Sequence, residues 1–264
     1  MLHFDLYAPT TAADLPTLLI AHGLFGSARN WGAIARRLSD RRRVVAVDMR
    51  NHGSSLHSPD HSYAAMAADL AQVIESQGGP MDVMGHSMGG KAAMHLALTQ
   101  PALVDRLVIA DIAPVAYGHD QTPHVRAMQA LDLANLTTRA QADRRLALTT
   151  PDPALRAFFL QSLDLKGEDG PRWRLNLAVL ASRMPGIVGW PGTPGQFPRP
   201  ALFLSGADST YVLPEHRPAI TARFPAARFA RIPDTGHWLH AEKPREFSET
   251  VAVFLSAGRE HAAA

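Results

Sequence analysis

The segment Gly85-His86-Ser87-Met88-Gly89 places a serine between small residues, directly after the apolar run at 81–84 (MDVM) and directly before a helix-like stretch. Small neighbours allow a sharp strand-to-helix turn, and such a turn lifts the serine hydroxyl out over a sheet. A hydroxyl is a poor nucleophile until a base takes its proton, so this chemistry requires a histidine later in the chain. Thr235-Gly236-His237-Trp238 supplies one after the last strand-like run, with Gly236 letting the backbone bring the imidazole close. Ser87 is therefore the expected nucleophile and His237 the expected general base. His240, three residues on, is expected to pack beside a helix start.

An acid must orient the imidazole, and two aspartates compete for that role. Asp111 ends the run RLVIAD at 106–111, one strand after the nucleophile, whereas Asp208 lies in Ser205-Gly206-Ala207-Asp208-Ser209, one strand later. Either choice gives the chain order Ser, Asp, His. Attack on a carbonyl also needs donors for the negative charge that develops on its oxygen. The loop from Ala21 to Ser27 (AHGLFGS) offers them: Gly23 permits a turn that frees the Leu24 amide, which pairs with the Met88 amide as the expected oxyanion hole. Each such donor is worth roughly 2.7–4 kcal/mol in the transition state. His22 reads as a structural loop histidine. His52, in the turn DMRNHGSS at 48–55, reads as loop architecture because it precedes the nucleophile.

These groups must be held by a scaffold, and the chain alternates short apolar runs with helix-like stretches. The runs lie at 17–21, 43–47, 81–84, 106–110, 201–204 and 228–232. That alternation predicts an α/β fold with a mostly parallel β-sheet flanked by helices on both faces. Residues 2–7, where His3 and Asp5 alternate with apolar neighbours, are expected to add an amino-terminal pair at an edge with one wet face. Apolar residues at three- and four-residue intervals predict helices over 28–38, 63–76 and 91–100, the second stopped by Gly78 and Gly79. A last helix starts at Pro244 and buries Phe247, Val251, Phe254 and Leu255; from about Gly258 the tail is expected to fray.

The rhythm breaks across 114–198, where helical pieces at 122–133, 138–148, 153–163 and 173–183 follow one another without an intervening strand. This stretch is expected to be an inserted helical lid, dividing the core into 1–113 and 199–264. Five prolines (Pro185, Pro191, Pro194, Pro198, Pro200) predict a stiff, extended return to the sheet over 185–200.

Composition narrows the class. With 264 residues the chain can bury a large core, and 46% hydrophobic with 19% charged residues is ordinary for a globular protein. The formal charge is only +2, from 26 Lys plus Arg against 24 Asp plus Glu, and Arg41, Arg42 and Arg43 read as a solvated edge, so no nucleic-acid partner is expected. There is no cysteine, which excludes disulfides and thiolate chemistry. No apolar run approaches the ~18 residues of a membrane span and no leader is evident, so the default compartment is the cytoplasm. Oligomeric state is left open.

Taken together, HGLFGS at 22–27, DMRNHGSS at 48–55, GHSMGGK at 85–91, DIAPV at 111–115, RWRLNL at 172–177 and GHWLHAEKP at 236–244 resemble the α/β-hydrolase superfamily, and more narrowly the YbfF-like esterase branch with its related mitochondrial members. The resemblance implies the α/β-hydrolase fold and hydrolysis of small-molecule carboxylic esters or acyl thioesters through an acyl-enzyme on Ser87, with no metal and no organic cofactor. It also bears on the acid. In much of the superfamily the acid stands three residues beyond a glycine on the later strand, and three beyond Gly206 is Ser209; Asp208 falls one position early. Asp111, 111 − 87 = 24 positions after the nucleophile, is similar in placement to the acid of haloalkane dehalogenases, which favours Asp111 with Asp208 in reserve. An acyl pocket is expected under the lid, with Met128, Phe158, Phe159, Leu163, Trp190 and Trp238 as candidate wall residues, for each of which ordinary core packing is the alternative reading. The competing activities on this fold are a perhydrolase or cofactor-free haloperoxidase, a C–C bond hydrolase or lyase, and a non-catalytic ligand binder. Dehalogenase and epoxide hydrolase chemistry need a carboxylate where Ser87 stands.

Overall fold

In the computed structural model, which describes residues 1–167 and 170–259, the apolar runs become strands of one sheet. The first part of the chain runs β1 (Phe4–Tyr7), β2 (Leu18–Ala21), α1 (Gly32–Leu38), β3 (Val44–Val47), α2 (Tyr63–Ser76), β4 (Met81–His86), α3 (Met88–Thr99) and β5 (Val104–Ala110). Then come α4 (Thr122–Ala130), α5 (Arg139–Leu146), α6 (Pro153–Leu160), β6 (Leu163–Asp164), β7 (Arg172–Trp173) and α7 (Leu177–Val188). The chain closes with β8 (Ala201–Gly206), α8 (Arg217–Arg223), β9 (Ala227–Ile232), α9 (Leu239–Glu242) and α10 (Pro244–Ser256). Residues 260–264, part of the tail expected to fray, lie outside the described residues, as do 168–169 within the expected lid.

Seven strands form the main sheet in the order β1-β3-β2-β4-β5-β8-β9, with β1 antiparallel to β3 and every other pairing parallel. The side-chain period of two divides the core between its faces. Leu19, Val45, Val83, Leu107, Ile109 and Phe203 pack with α2 and α3 on one side. Their neighbours Leu18, Val44, Met84, Val108, Ala110 and Leu202 pack with α1 and α10 on the other. Both faces being covered, the central strands read as unbroken apolar runs. The chain leaves β2 toward β3 on one side and later fills β4 on the other, so a crevice opens at the carboxyl ends of β2 and β4, where open α/β sheets bind ligands.

Several expectations are corrected. The amino-terminal pair is a single strand, β1, and the stretch at 28–38 is a 3₁₀ turn (Ala28–Trp31) followed by α1. Between β5 and β8, β6 and β7 pair as a two-residue ladder, Leu163 opposite Trp173, too short to leave a pattern in the sequence. Helix α7 runs through Pro185 rather than ending before it. That proline removes only one donor in the last turn, and the Gly189 amide closes the helix by donating to the Pro185 carbonyl at 3.0 Å. No helix among the described residues is long and apolar enough to cross a membrane.

Arg42 is not part of a solvated edge. It is buried and donates to Asp82 Oδ2 at 2.7 Å, while Arg259 donates to both carboxylate oxygens at 2.6 and 2.9 Å. Asp82 interrupts β4 at full burial, and two guanidinium groups supply the hydrogen bonds that its charge requires. Asp82→Ala would strand the buried Arg42 without its acid. The expected loss is about 3–5 kcal/mol of unfolding free energy, read from the urea midpoint; a loss below about 1 kcal/mol would show the cluster to be dispensable.

Candidate active site

Ser87 links β4 to α3 with φ 51° and ψ −119°, a backbone that L-residues rarely adopt and that costs of order 1–3 kcal/mol. The turn can be this tight because its glycines lie against backbone. A Cβ on Gly85 would stand 2.4 Å from the Gly89 carbonyl oxygen, and a Cβ on Gly89 would stand 2.4 Å from that of Ala21. The Ser87 amide donates to the Ala110 carbonyl at 3.1 Å, tying the turn to the end of β5. The hydroxyl makes no hydrogen bond among the described residues, an open arrangement common where the catalytic contact tightens only around substrate.

Asp111 follows β5 with φ 50° and is fully buried. Its Oδ2 lies 2.7 Å from His237 Nδ1. With the Nδ1 proton directed to the carboxylate, Nε2 carries the lone pair that can receive a proton from a hydroxyl. Asp208 is exposed, and its amide donates to the Thr235 carbonyl at 2.9 Å, so of the two competing acids it is Asp111 that the fold brings to the imidazole.

Sequence reasoning missed the groups that hold this pair. Ser209 Oγ donates to Asp111 Oδ2 at 2.5 Å and the Gly206 amide donates to Oδ1 at 3.2 Å. The Tyr211 ring stacks on His237, 3.9 Å between centroids and 19° between planes. A signal for Ser209 existed, since it occupies the position three beyond Gly206: the hydroxyl there now serves an acid supplied by the earlier strand. Loop contact is close throughout, for a Cβ on Gly206 would stand 2.3 Å from the Gly236 carbonyl oxygen. Behind the imidazole, His86 Nε2 meets the His237 carbonyl at 2.9 Å. Burial and the neighbouring His237 and His240 push the His86 pKa well down, so the ring is neutral and Nε2–H is the donor.

Leu24 and Met88 face the same cavity, and among the described residues neither amide donates to a protein acceptor. Two histidines fix the loop that carries Leu24. The Met49 amide donates to His22 Nε2 at 2.9 Å, and the Phe25 amide donates to His52 Nε2 at 3.2 Å. Burial lowers the pKa of His22 to about 4 and of His52 to about 3, which keeps both as neutral acceptors. Their Nδ1 protons go to the carbonyls of Gly23 and Arg50. Both are architectural, as the sequence suggests.

The cavity measures about 220 Å³ and is lined by Ser87, His237, Leu24 and Met88 together. Of the expected wall residues, Phe158, Phe159 and Trp238 line it; Met128, Leu163 and Trp190 do not. Met128 is buried in the core and its carbonyl accepts from Trp173 Nε1 at 2.9 Å, and Leu163 belongs to β6. Their places are taken by Tyr63, Tyr117 and Ile187, with Lys91 beside them. His240 is a wall residue too, stacked on Trp31 at 4.2 Å and held neutral by burial with a pKa near 3. No cluster of three or more His, Asp or Glu suited to a metal ion occurs among the described residues.

Comparison with known proteins places this geometry among relatives. The family model for the alpha/beta hydrolase fold matches residues 16–244. An sn-1-specific diacylglycerol lipase of Mus musculus is 41% identical over 255 residues, covering 92% of this chain and 82% of that protein. Esterase YbfF of Escherichia coli is 39% identical over 243 residues, covering 90% of this chain and 92% of its own. Among solved structures, a marine microorganism esterase superposes with a TM-score of 0.90 at 34% identity, covering 96% of this chain and 98% of that one.

Proposed function

We propose a mechanism from one premise: the chain belongs to the α/β-hydrolase fold family and is a serine ester hydrolase. His237 Nε2 takes the hydroxyl proton as Ser87 Oγ bonds to the carbonyl carbon of a small-molecule ester. The amides of Leu24 and Met88 receive the oxyanion. Collapse of the tetrahedral intermediate breaks the bond to the alcohol, to which His237 returns the proton, leaving an acyl-enzyme. Water, deprotonated by His237, then repeats the sequence and frees Ser87. Asp111 holds the imidazole in the tautomer that both half-reactions need and offsets its positive charge while it carries the second proton.

The observation that carries this reading is the 2.7 Å contact of buried Asp111 with His237, whose ring lines the cavity that Ser87 enters from a strained turn. Acyl thioesters fit the same steps, since a thiol is the better leaving group. Residues 114–198 act as a helical lid over this cavity: Leu155, Phe158 and Phe159 of α6 and Ile187 and Val188 of α7 form part of its wall.

A panel of p-nitrophenyl esters from acetate to decanoate, with an acyl thioester alongside, tests the reading. Turnover is expected on at least the short esters, with a pre-steady-state burst of p-nitrophenol marking the acyl-enzyme. Folded protein that turns over none of them would exclude ester hydrolysis by this site.

A further inference from the structure

Among the described residues lining the cavity there is no aspartate or glutamate, and Lys91 is the one lysine or arginine. It lies one helical turn beyond the nucleophile on α3, its amide donating to the Ser87 carbonyl at 3.0 Å, so its side chain shares the nucleophile's face of the helix. The residue is only 1% exposed. Nζ donates to the carbonyls of Val188 at 2.8 Å and Gly189 at 2.5 Å, at the end of α7. It also sits over the Tyr117 ring, 4.7 Å from the centroid, and 5.9 Å from that of Tyr63.

None of these neighbours carries a negative charge. The Tyr63 hydroxyl donates to the Ile187 carbonyl and the Tyr117 hydroxyl to the Tyr211 carbonyl, and burial raises both phenol pKa values, keeping them protonated. His119, which also lines the cavity, is itself pushed toward neutrality by burial, by His237 and by Lys91. An ammonium removed from water is costly without a counter-charge, and burial draws the Lys91 pKa down to about 7. Fastening α7 to α3 needs only a donor, and an ammonium has three N–H groups of which two are used. Around it Tyr63 and Ile187 are buried, and Tyr117 and Val188 are partly exposed. A leaving alcohol must escape to solvent whereas the acyl group stays on Ser87, so the buried ammonium one turn along the nucleophile's own helix is assigned to the acyl side.

We infer that Lys91 determines specificity by receiving a carboxylate at the far end of the acyl group, so that the preferred substrates are half-esters of dicarboxylic acids. The inference rests on the esterase reading. It places a third charge-assisted hydrogen bond on Nζ and supplies the negative charge that the wall lacks.

The test compares ethanol release from monoethyl succinate, glutarate and adipate with release from the neutral ethyl esters of equal acyl length. At about pH 6 the carboxylate and Lys91 are both charged, and the best half-ester is expected to exceed its neutral counterpart at least about tenfold in kcat/KM, the effect of one charged hydrogen bond. Lys91→Met should abolish that ratio, whatever it does to rates in general, and Lys91→Arg should retain it. A lysine of lowered pKa is charged below that pKa and loses its charge above it, so the wild-type ratio should fall as pH rises from about 6 to about 9; the carboxylate is ionised throughout, and pH effects common to both substrates cancel in the ratio. Should Lys91→Met fail to fold, this profile decides. Equal rates on the paired esters, a ratio unchanged by Lys91→Met, or a ratio flat with pH overturns the role of Lys91 and leaves the esterase reading standing. Absence of ethanol from every ester overturns the esterase reading itself.

Discussion

Ser87→Ala is expected to lower kcat for ester hydrolysis by on the order of 10⁶-fold, as loss of the nucleophile does where a serine, histidine and acid act as one unit. His237 keeps its contact with Asp111 in this variant, and the Leu24 and Met88 amides still face the cavity. Residual turnover should therefore remain above the uncatalysed rate by about 10³–10⁴-fold, through water attacking a carbonyl whose oxyanion is still stabilised. Covalent labelling gives the sharper readout: a fluorophosphonate should modify the wild type at Ser87 and leave Ser87→Ala unmodified. The fold should survive, because alanine keeps the Cβ at φ 51° and removes a hydroxyl with no hydrogen bond among the described residues. Ser87→Gly should even stabilise the protein, since glycine takes positive φ at no steric cost and the strain is worth about 1 kcal/mol or more. Labelling that persists in Ser87→Ala would move the nucleophile elsewhere.

Much of this site could be read from the sequence because its constraints are local. The Ser87 turn needs glycines within two residues, and Gly85 and Gly89 leave that mark. His237 follows the last strand run beside Gly236, again a signature confined to a few positions. The strands were equally readable, since a sheet covered on both faces forces unbroken apolar runs. What escaped was contact between segments far apart in the chain. Ser209 meets Asp111 across 98 positions, and nothing near either residue announces it. Lys91 sits on a helix where lysine ordinarily reaches water, and only α2, α7 and the segment after β5 turn its surroundings into a buried wall. Arg42 was hidden in the same way by Arg41 and Arg43 on either side. Apolar residues between β5 and β8 carry one periodicity whether they line a pocket or fill a core. Met128 and Phe158 could therefore exchange roles without altering the pattern, and packing alone assigns them.

The assignment of the acid has the most discriminating test. Asp111→Asn is expected to lower kcat by about 10⁴-fold, with KM changed far less. An asparagine keeps the shape but can present its NH₂ group to Nδ1, which favours the tautomer with the proton on Nε2 and removes the lone pair that should face Ser87. It also withdraws the charge that steadies the imidazolium. Ser209→Ala removes one hydrogen bond to a buried carboxylate, an interaction worth about 1.5–3 kcal/mol, so a loss of roughly 10- to 100-fold in kcat is the expected intermediate result. Asp208→Asn should stay within about threefold of wild type, because an exposed carboxylate with no contact to the imidazole contributes little through high-dielectric solvent. The three variants thus form a ranked series, Asp111 far above Ser209 and Ser209 above Asp208, measured as kcat on one p-nitrophenyl ester at one pH. Were Asp208→Asn to fall furthest, His237 would have to swing from β5 to the β8 loop during turnover, breaking the 2.7 Å contact that orients it here. That movement would also unstack His237 from Tyr211, a ring 3.9 Å away, so the order of the two aspartates reports which loop holds the base while the bond is cleaved.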